Sequence, residues 1–324
     1  MSRNLTIILH VGPHKTGSTS LQKNLFRHKD TLAGQGIHFL GRDGPYKHLY
    51  SSFMTHPMKN YRNKLSGLSE THIRARDAQV REDLFAALDG LDGTAILSSE
   101  FLCKMTVDEF VRIRDALSRF GIVDCLYYYR ELIPWIASNS QQMAKVGRFW
   151  QPSTYATSMQ RLHRIPLRIA QVFGQDHSHF LKFETAVKQG MCNSLLREFD
   201  LPDFDALGLD ETHENESLSD NAVRAMYLYN LQKPLGSGQR SPRRIQELCA
   251  LPGDKYRIAG LRPHEIRDYG KKRAEVAQKL GFDLTPPENM PMSPSLDPEN
   301  DRQIRPFLSL RERGKLFLKS LRRF

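Results

Sequence analysis

The feature that most constrains this chain lies at its start. Leu5-Thr6-Ile7-Ile8-Leu9-His10-Val11 is an almost unbroken β-favouring run that stops at Gly12, and from Ser18 the pattern turns helical, with Leu21, Leu25 and Phe26 on one face. A continuous apolar strand is how a strand covered on both faces of a parallel sheet reads, so the opening is a β-loop-α unit. Hydroxyl residues at the helix start sit where orphan N–H groups need acceptors. Later strand candidates fall at residues 36–40, 94–98, 122–129 and 179–183, separated by helical patterns such as 107–119 and 132–146. Strands alternating with helices imply an α/β fold with a mostly parallel, doubly wound sheet.

Residues 41–92 and 201–280 are mostly polar and helix-prone and carry no second strand series, so they read as insertions and a helical cap. Five prolines between 285 and 301 (Pro286, Pro287, Pro291, Pro294 and Pro298) mark an extended connector. The expected organisation is one α/β domain over 1–284, the connector over 285–301, and a basic amphipathic tail over 302–324. The tail holds eight basic residues and one acid, which is +7 of the chain's formal +11. Such a tail suits an anionic membrane surface or docking on the body. The body is only mildly basic and has no aromatic-interleaved basic motif of the common nucleic-acid modules, so no nucleic-acid partner is expected.

No apolar run approaches the ~20 residues of a membrane span. The start lacks the apolar core of a secretory signal, so export by that route is disfavoured. Four scattered cysteines, Cys103, Cys125, Cys192 and Cys249, make neither a disulfide framework nor a zinc pattern. A cytoplasmic enzyme, peripheral at most on the inner membrane face, is the expectation.

Gly12-Pro13-His14-Lys15-Thr16-Gly17-Ser18-Thr19 connects that strand to a helix N-terminus, where backbone N–H groups and the helix dipole favour an anion. It nearly matches G-x-x-x-x-G-K-[ST], but Ser18 stands where lysine is expected and the cation has moved back to Lys15. A second element is Tyr127-Tyr128-Tyr129-Arg130, a strand ending in arginine, with Ser138 eight residues on in a helical pattern. The planar guanidinium can grip a phosphate in two places, and the serine can add a donor. Ligands of open α/β sheets bind outside the C-terminal strand ends, so loop and arginine should share one edge. The alternative is that Arg130 pairs with Glu131 or another acid.

Together these residues resemble sulfotransferases that use 3′-phosphoadenosine 5′-phosphosulfate (PAPS), the stretch from His10 to Gln22 being similar to bacterial members. The resemblance implies sulfuryl transfer from PAPS to a hydroxyl or amine of a carbohydrate or glycolipid, with adenosine 3′,5′-bisphosphate as product and no metal required. It implies a 5′-phosphosulfate site at His14, Lys15, Thr16, Gly17, Ser18 and Thr19, and a 3′-phosphate site at Arg130 and Ser138. Lys15 is the cation for the leaving oxygen. Glu100, closing the strand at 94–98, is the preferred base, its alternative being the first turn of a following helix. His48 is the second candidate base, and His14 faces the donor or acceptor or else steadies the loop. Asn215-Glu216-Ser217-Leu218-Ser219 also resembles a segment of bacterial members. The rival readings are a P-loop phosphotransferase using ATP and a non-enzymatic membrane or polyanion adaptor.

Overall fold

The computed structural model describes residues 4–41, 48–148, 154–212, 217–233, 238–257 and 263–284. The connector, the tail, and Asn215 and Glu216 of the recurrent segment lie outside the described residues. Five strands are present: β1 (Leu5–His10), β2 (Ile37–Phe39), β3 (Gly93–Ser98), β4 (Ile122–Tyr129) and β5 (Ser178–Lys182). They form one sheet in the order β2-β3-β1-β4-β5, and every pairing is parallel. β1 is therefore central, with β3 on one side and β4 on the other.

Strand alternation divides the core between the two faces of this sheet. Ile7, Leu9, Ala95, Leu97, Cys125, Tyr127 and Tyr129 pack with Leu84, Leu88, Phe110, Ile113, Leu117, Ile165, Ile169, Val276 and Leu280. Ile8, Ile96, Leu126 and Tyr128 pack on the opposite face with Leu21, Leu25, Ala186, Leu195 and Leu196. Helices Glu70–Asp89, Val107–Leu117, Thr154–Phe173 and Pro263–Leu280 supply the first set, whereas Ser18–Arg27, Phe183–Gln189 and Met191–Glu198 supply the second. Ile7, Ile8 and Leu9 are all fully buried, worth about 1.5–3 kcal/mol apiece. A one-residue slip of β1 would exchange its two faces, so its register is firmly set. Phe26, expected on the buried face of the first helix, is instead exposed and carries the Lys29 ammonium 5.3 Å from its ring centre.

The chain forms two compact units. Among the described residues, the first holds 4–41, 48–130, 161–212 and 273–284 and contains the whole sheet; the second holds 131–148, 154–160, 217–233, 238–257 and 263–272. Residues 201–280, read as one helical addition, are thus divided between the two. In the second unit, helices Leu132–Lys145, Asp220–Gln232 and Pro242–Cys249 bury Ala144, Ala225, Met226, Tyr229 and Leu248. The Asn230 side-chain nitrogen donates to the Ala144 carbonyl at 2.8 Å, and Ser219 caps Asp220–Gln232 by accepting from the Ala222 N–H at 3.0 Å. Among the described residues no helix is long and apolar enough to cross a membrane.

Candidate functional site

The candidate residues gather at the C-terminal edge of three adjacent strands. β1 ends at His10, and the glycine loop follows it, held on both sides: the Val11 N–H donates to the Leu126 carbonyl of β4 at 2.8 Å, and the Ser99 N–H beyond β3 donates to the His10 carbonyl at 3.2 Å. Inside the loop the buried Thr16 hydroxyl donates to the Pro13 carbonyl at 2.8 Å. Two residues take left-handed backbone, Lys15 at φ 72° and Gly17 at φ 74°. Glycine suits this region freely, but lysine there is strained, a condition that clusters at ligand clamps. A β-carbon on Gly17 would also press on the Met191 side chain at 3.0 Å.

Gly17 is the N-cap of helix Ser18–Arg27, with no side-chain cap and no acid in the first turn. The hydroxyls at this terminus, expected as caps, do not cap, and the first-turn N–H groups of Ser18, Thr19 and Ser20 lack intrahelical acceptors. The contrast with helix Met191–Glu198 is direct: there the Glu211 carboxylate accepts from the Met191 N–H at 2.6 Å and the Cys192 N–H at 3.1 Å. One helix start is neutralised from within the fold, and the other keeps its positive end. Ser18 is buried, and its hydroxyl has no hydrogen-bond partner among the described residues.

Arg130 follows β4 directly, and its guanidinium turns toward the loop. Nη1 donates to the Lys15 carbonyl, and the guanidinium carbon lies 4.5 Å from the centre of the Phe183 ring. Burial lowers its pKa to about 10, with the nearby Glu184 carboxylate working against that shift. Glu131, the acid beside it in sequence, instead accepts from the Tyr269 hydroxyl. Ser138 is half-buried on helix Leu132–Lys145 of the second unit.

Glu100 lies on the other side of the loop, two residues past β3. Its carboxylate is 3.0 Å from His14 Nδ1, and each side chain is about one-third exposed, at 32% and 31%. Burial pushes the Glu100 pKa up, but the His14 hydrogen bond and the charges of His14, Arg62 and Lys15 outweigh it, and the net shift is downward. Glu100 does not start the next long helix: Thr106 and Glu109 cap Val107–Leu117 in a reciprocal capping box. The structure thus joins two residues that the sequence offered separately. His48 is the N-cap residue of the short helix Leu49–Ser52 and is half-buried. Two residues further on, Tyr50 stacks on Phe101 at 6.4 Å, and Phe101 meets the His14 ring edge-on at 5.3 Å.

Sequence reasoning missed several neighbours. Arg62, from a stretch read only as an insertion, stands 4.3 Å from the Phe101 ring centre, and the Lys104 ammonium stands 4.8 Å from it. Both are cation–π contacts beside the candidate base. No local pattern marks either residue. His10, Gln22 and Ser98 form a further cluster under the loop: His10 Nδ1 is 2.7 Å from Ser98 Oγ, and Gln22 Nε2 is 3.0 Å from the same oxygen. A histidine at the end of a buried β-favouring strand was the available signal for His10.

No protein-family model matches the chain, and no curated protein matches it. Among solved structures it is similar to a sulfotransferase from Alicyclobacillus acidocaldarius, at 14% identity and a TM-score of 0.45 over 88% of this chain and 98% of that one. It is similar to the sulfotransferase domain of the olefin synthase of Synechococcus PCC 7002, at 16% identity and a TM-score of 0.38 over 88% and 97%. It is also similar to retinol dehydratase in complex with androsterone and the inactive cofactor PAP, at 14% identity and a TM-score of 0.34 over 89% and 84%.

Proposed function

We propose that the chain is a PAPS-dependent sulfotransferase. The observation that carries this reading is the Arg130 guanidinium, which leaves the neighbouring strand and reaches the Lys15 carbonyl of the glycine loop. A cation and an anion-holding turn thereby share one sheet edge. The residues fit a phosphosulfate group. The helix start has no acid in its first turn, a β-carbon on Gly12 would fill the turn 2.3 Å from Ser18 Oγ, and that buried oxygen has no partner among the described residues.

When bound, PAPS supplies an activated sulfuryl group on a phosphate leaving group. The N–H groups of residues 16–19 and the Ser18 hydroxyl hold the 5′-phosphate, and Arg130 adds charge from the β4 side. Lys15 supplies positive charge where the leaving oxygen gains electrons. The Glu100–His14 pair takes the acceptor proton, in preference to His48, because it stands beside the loop and is open to solvent. The acceptor we assign is a hydroxyl of a carbohydrate or glycolipid, an assignment carried by the sequence resemblance. Arg62 and Lys104, both exposed beside Glu100, suit an acceptor that bears an anionic group.

Thermal unfolding tests the donor site. Adenosine 3′,5′-bisphosphate at 100 times its Kd adds about 2.7 kcal/mol. With an unfolding entropy of about 0.7 kcal/mol per K for 324 residues, the expected rise is about 4 °C. Equal stabilisation by ATP-magnesium, or stabilisation by ATP alone, overturns the assignment. Glu100→Gln should keep the nucleotide-induced rise while lowering sulfuryl transfer by at least ~100-fold.

A further inference from the structure

The cluster under the loop has a direction. Gln22 Nε2 lies 3.2 Å from the Ser98 carbonyl oxygen and 3.0 Å from Ser98 Oγ. A carbonyl can only accept, so the nitrogen end of the Gln22 amide faces Ser98 and its second N–H goes to the hydroxyl. Among the described residues the acceptor for the hydroxyl's own proton is His10 Nδ1, at 2.7 Å. With Nδ1 accepting, the single proton of a neutral ring sits on Nε2. The ring is fully buried with its edge against Tyr128, and burial lowers its pKa to about 3, so it is uncharged at physiological pH.

Among the described residues His10 Nε2 is a buried polar atom with no hydrogen-bond partner, and Ser18 Oγ is another. Both border Gly12: a β-carbon there would lie 3.2 Å from Nε2 and 2.3 Å from Oγ. Among the described residues no hydrogen bond joins the two atoms; buried polar groups are rarely left unanswered, and these two border one turn, at a helix N-terminus without an acid. We propose that Gln22, Ser98 and His10 are positioning residues that hold an uncharged Nε2–H toward the Ser18 hydroxyl, and that an anion entering the glycine loop closes this hydrogen bond, so that Ser18 directs its own proton at the anion. The identity of that anion, the 5′-phosphosulfate, rests on the sulfotransferase reading. The relay also accounts for Ser18 at the position where G-x-x-x-x-G-K-[ST] loops carry lysine. A short hydroxyl, backed by a neutral donor, takes the place of a long cation.

The test has two arms. In the free protein, ¹⁵N NMR of His10 should show the Nε2–H tautomer without titration between pH 5 and 8; an Nδ1–H tautomer or a charged ring overturns the relay whatever the nucleotide does. In the second arm, calorimetry measures the affinity for adenosine 3′,5′-bisphosphate in the wild type, Ser98→Ala, Ser18→Ala and the double variant. Ser98→Ala should weaken binding roughly 3–10-fold, the range of one net hydrogen bond, and should have no effect in the Ser18→Ala background. Equal losses in both backgrounds mean that Ser98 acts structurally, and the relay falls. His10→Gln, which can keep a donor near the ε position, should bind more tightly than His10→Phe; equal binding by the two counts against the relay. If the wild type ignores the bisphosphate, the sulfotransferase reading fails, and the same variants are titrated with inorganic sulfate. The same dependence on Ser18 there supports the relay, and no binding or a Ser18-independent loss overturns it.

Discussion

Replacing Gly12 with alanine probes the cradle at its tightest point. The new β-carbon would meet Ser18 Oγ at 2.3 Å and the His10 ring at 3.2 Å. The ring contacts are tight but tolerable, whereas the hydroxyl must retreat by roughly 1 Å, an overpacking that costs about 1–3 kcal/mol. Gly12 does not use left-handed backbone, so alanine also recovers about 0.4–1 kcal/mol by restricting the unfolded chain. The net expectation for Gly12→Ala is a loss of about 1–2 kcal/mol. At about 0.7 kcal/mol per K this is a fall in Tm of roughly 1.5–3 °C. The same substitution in a Ser18→Ala background removes the clashing oxygen and keeps the entropic gain, so it should be neutral or slightly stabilising. Thermal or urea unfolding of the four proteins measures the coupling, expected at about 1–2 kcal/mol. An identical cost of Gly12→Ala in both backgrounds would refute the packing argument, and with it the view that the turn leaves room only for a ligand.

Arg130→Met should lose both the guanidinium over the Phe183 ring and the donor to the Lys15 carbonyl; bisphosphate affinity by calorimetry is expected to fall at least ~10-fold, and unchanged affinity would remove Arg130 from the site. Tyr128 is fully buried, with its hydroxyl 3.0 Å from both the Met191 carbonyl and Ser194 Oγ, so Tyr128→Phe should cost about 1–2 kcal/mol by urea unfolding, and no loss would show that these bonds add nothing net. A pH dependence follows from His179, which bonds Glu198 at 2.9 Å and faces Asp124 at 3.7 Å, and whose pKa those two carboxylates raise to about 9. Its folded value exceeds its unfolded one, so the stabilisation is complete below about pH 6.5 and is lost as pH rises through about 9. Discounted for solvent screening it amounts to about 1–2 kcal/mol. Asp124, lowered by its histidine partners against the opposing effect of burial, acts at the other end: its contribution is lost as pH falls through its depressed value. Melting curves of His179→Gln should lose the alkaline decline, and a decline equal to that of the wild type would place its origin elsewhere.

The residues that announced themselves in the sequence act through their own strand. Glycine stops the β1 run, β4 ends one residue before Arg130, and Glu100 follows β3, so strand ends alone brought the loop, the guanidinium and the carboxylate to one edge. Pairings that depend on register across the sheet were not legible. Gln22, Ser98 and His10 meet only because β1 and β3 run side by side with His10 opposite Ser98, although the residues stand 76 and 88 positions apart. Arg62 reaches Phe101 from a short helix whose sequence shows only an exposed cation. An amphipathic pattern tells that a helix buries one face and not what it buries it against, which is why residues 201–280 read as one addition while their last turns pack in the sheet core. Phe26 shows the same ambiguity at single-residue scale: the helical stripe admitted it, and the neighbouring helices left it outside.

Val276, Leu280 and Leu284 belong to the larger core beneath the sheet, yet they are made long after the strands they cover. At about 5–20 residues per second, a ribosome that has finished residue 130 needs roughly 8–30 s more to supply them. Through that interval the nascent sheet has an incomplete hydrophobic lining, and β4 waits for its outer partner until residue 182 has emerged. A chain that stops between residues 182 and 273 would therefore carry the whole sheet with part of its apolar lining uncovered, and should aggregate more readily than the complete one.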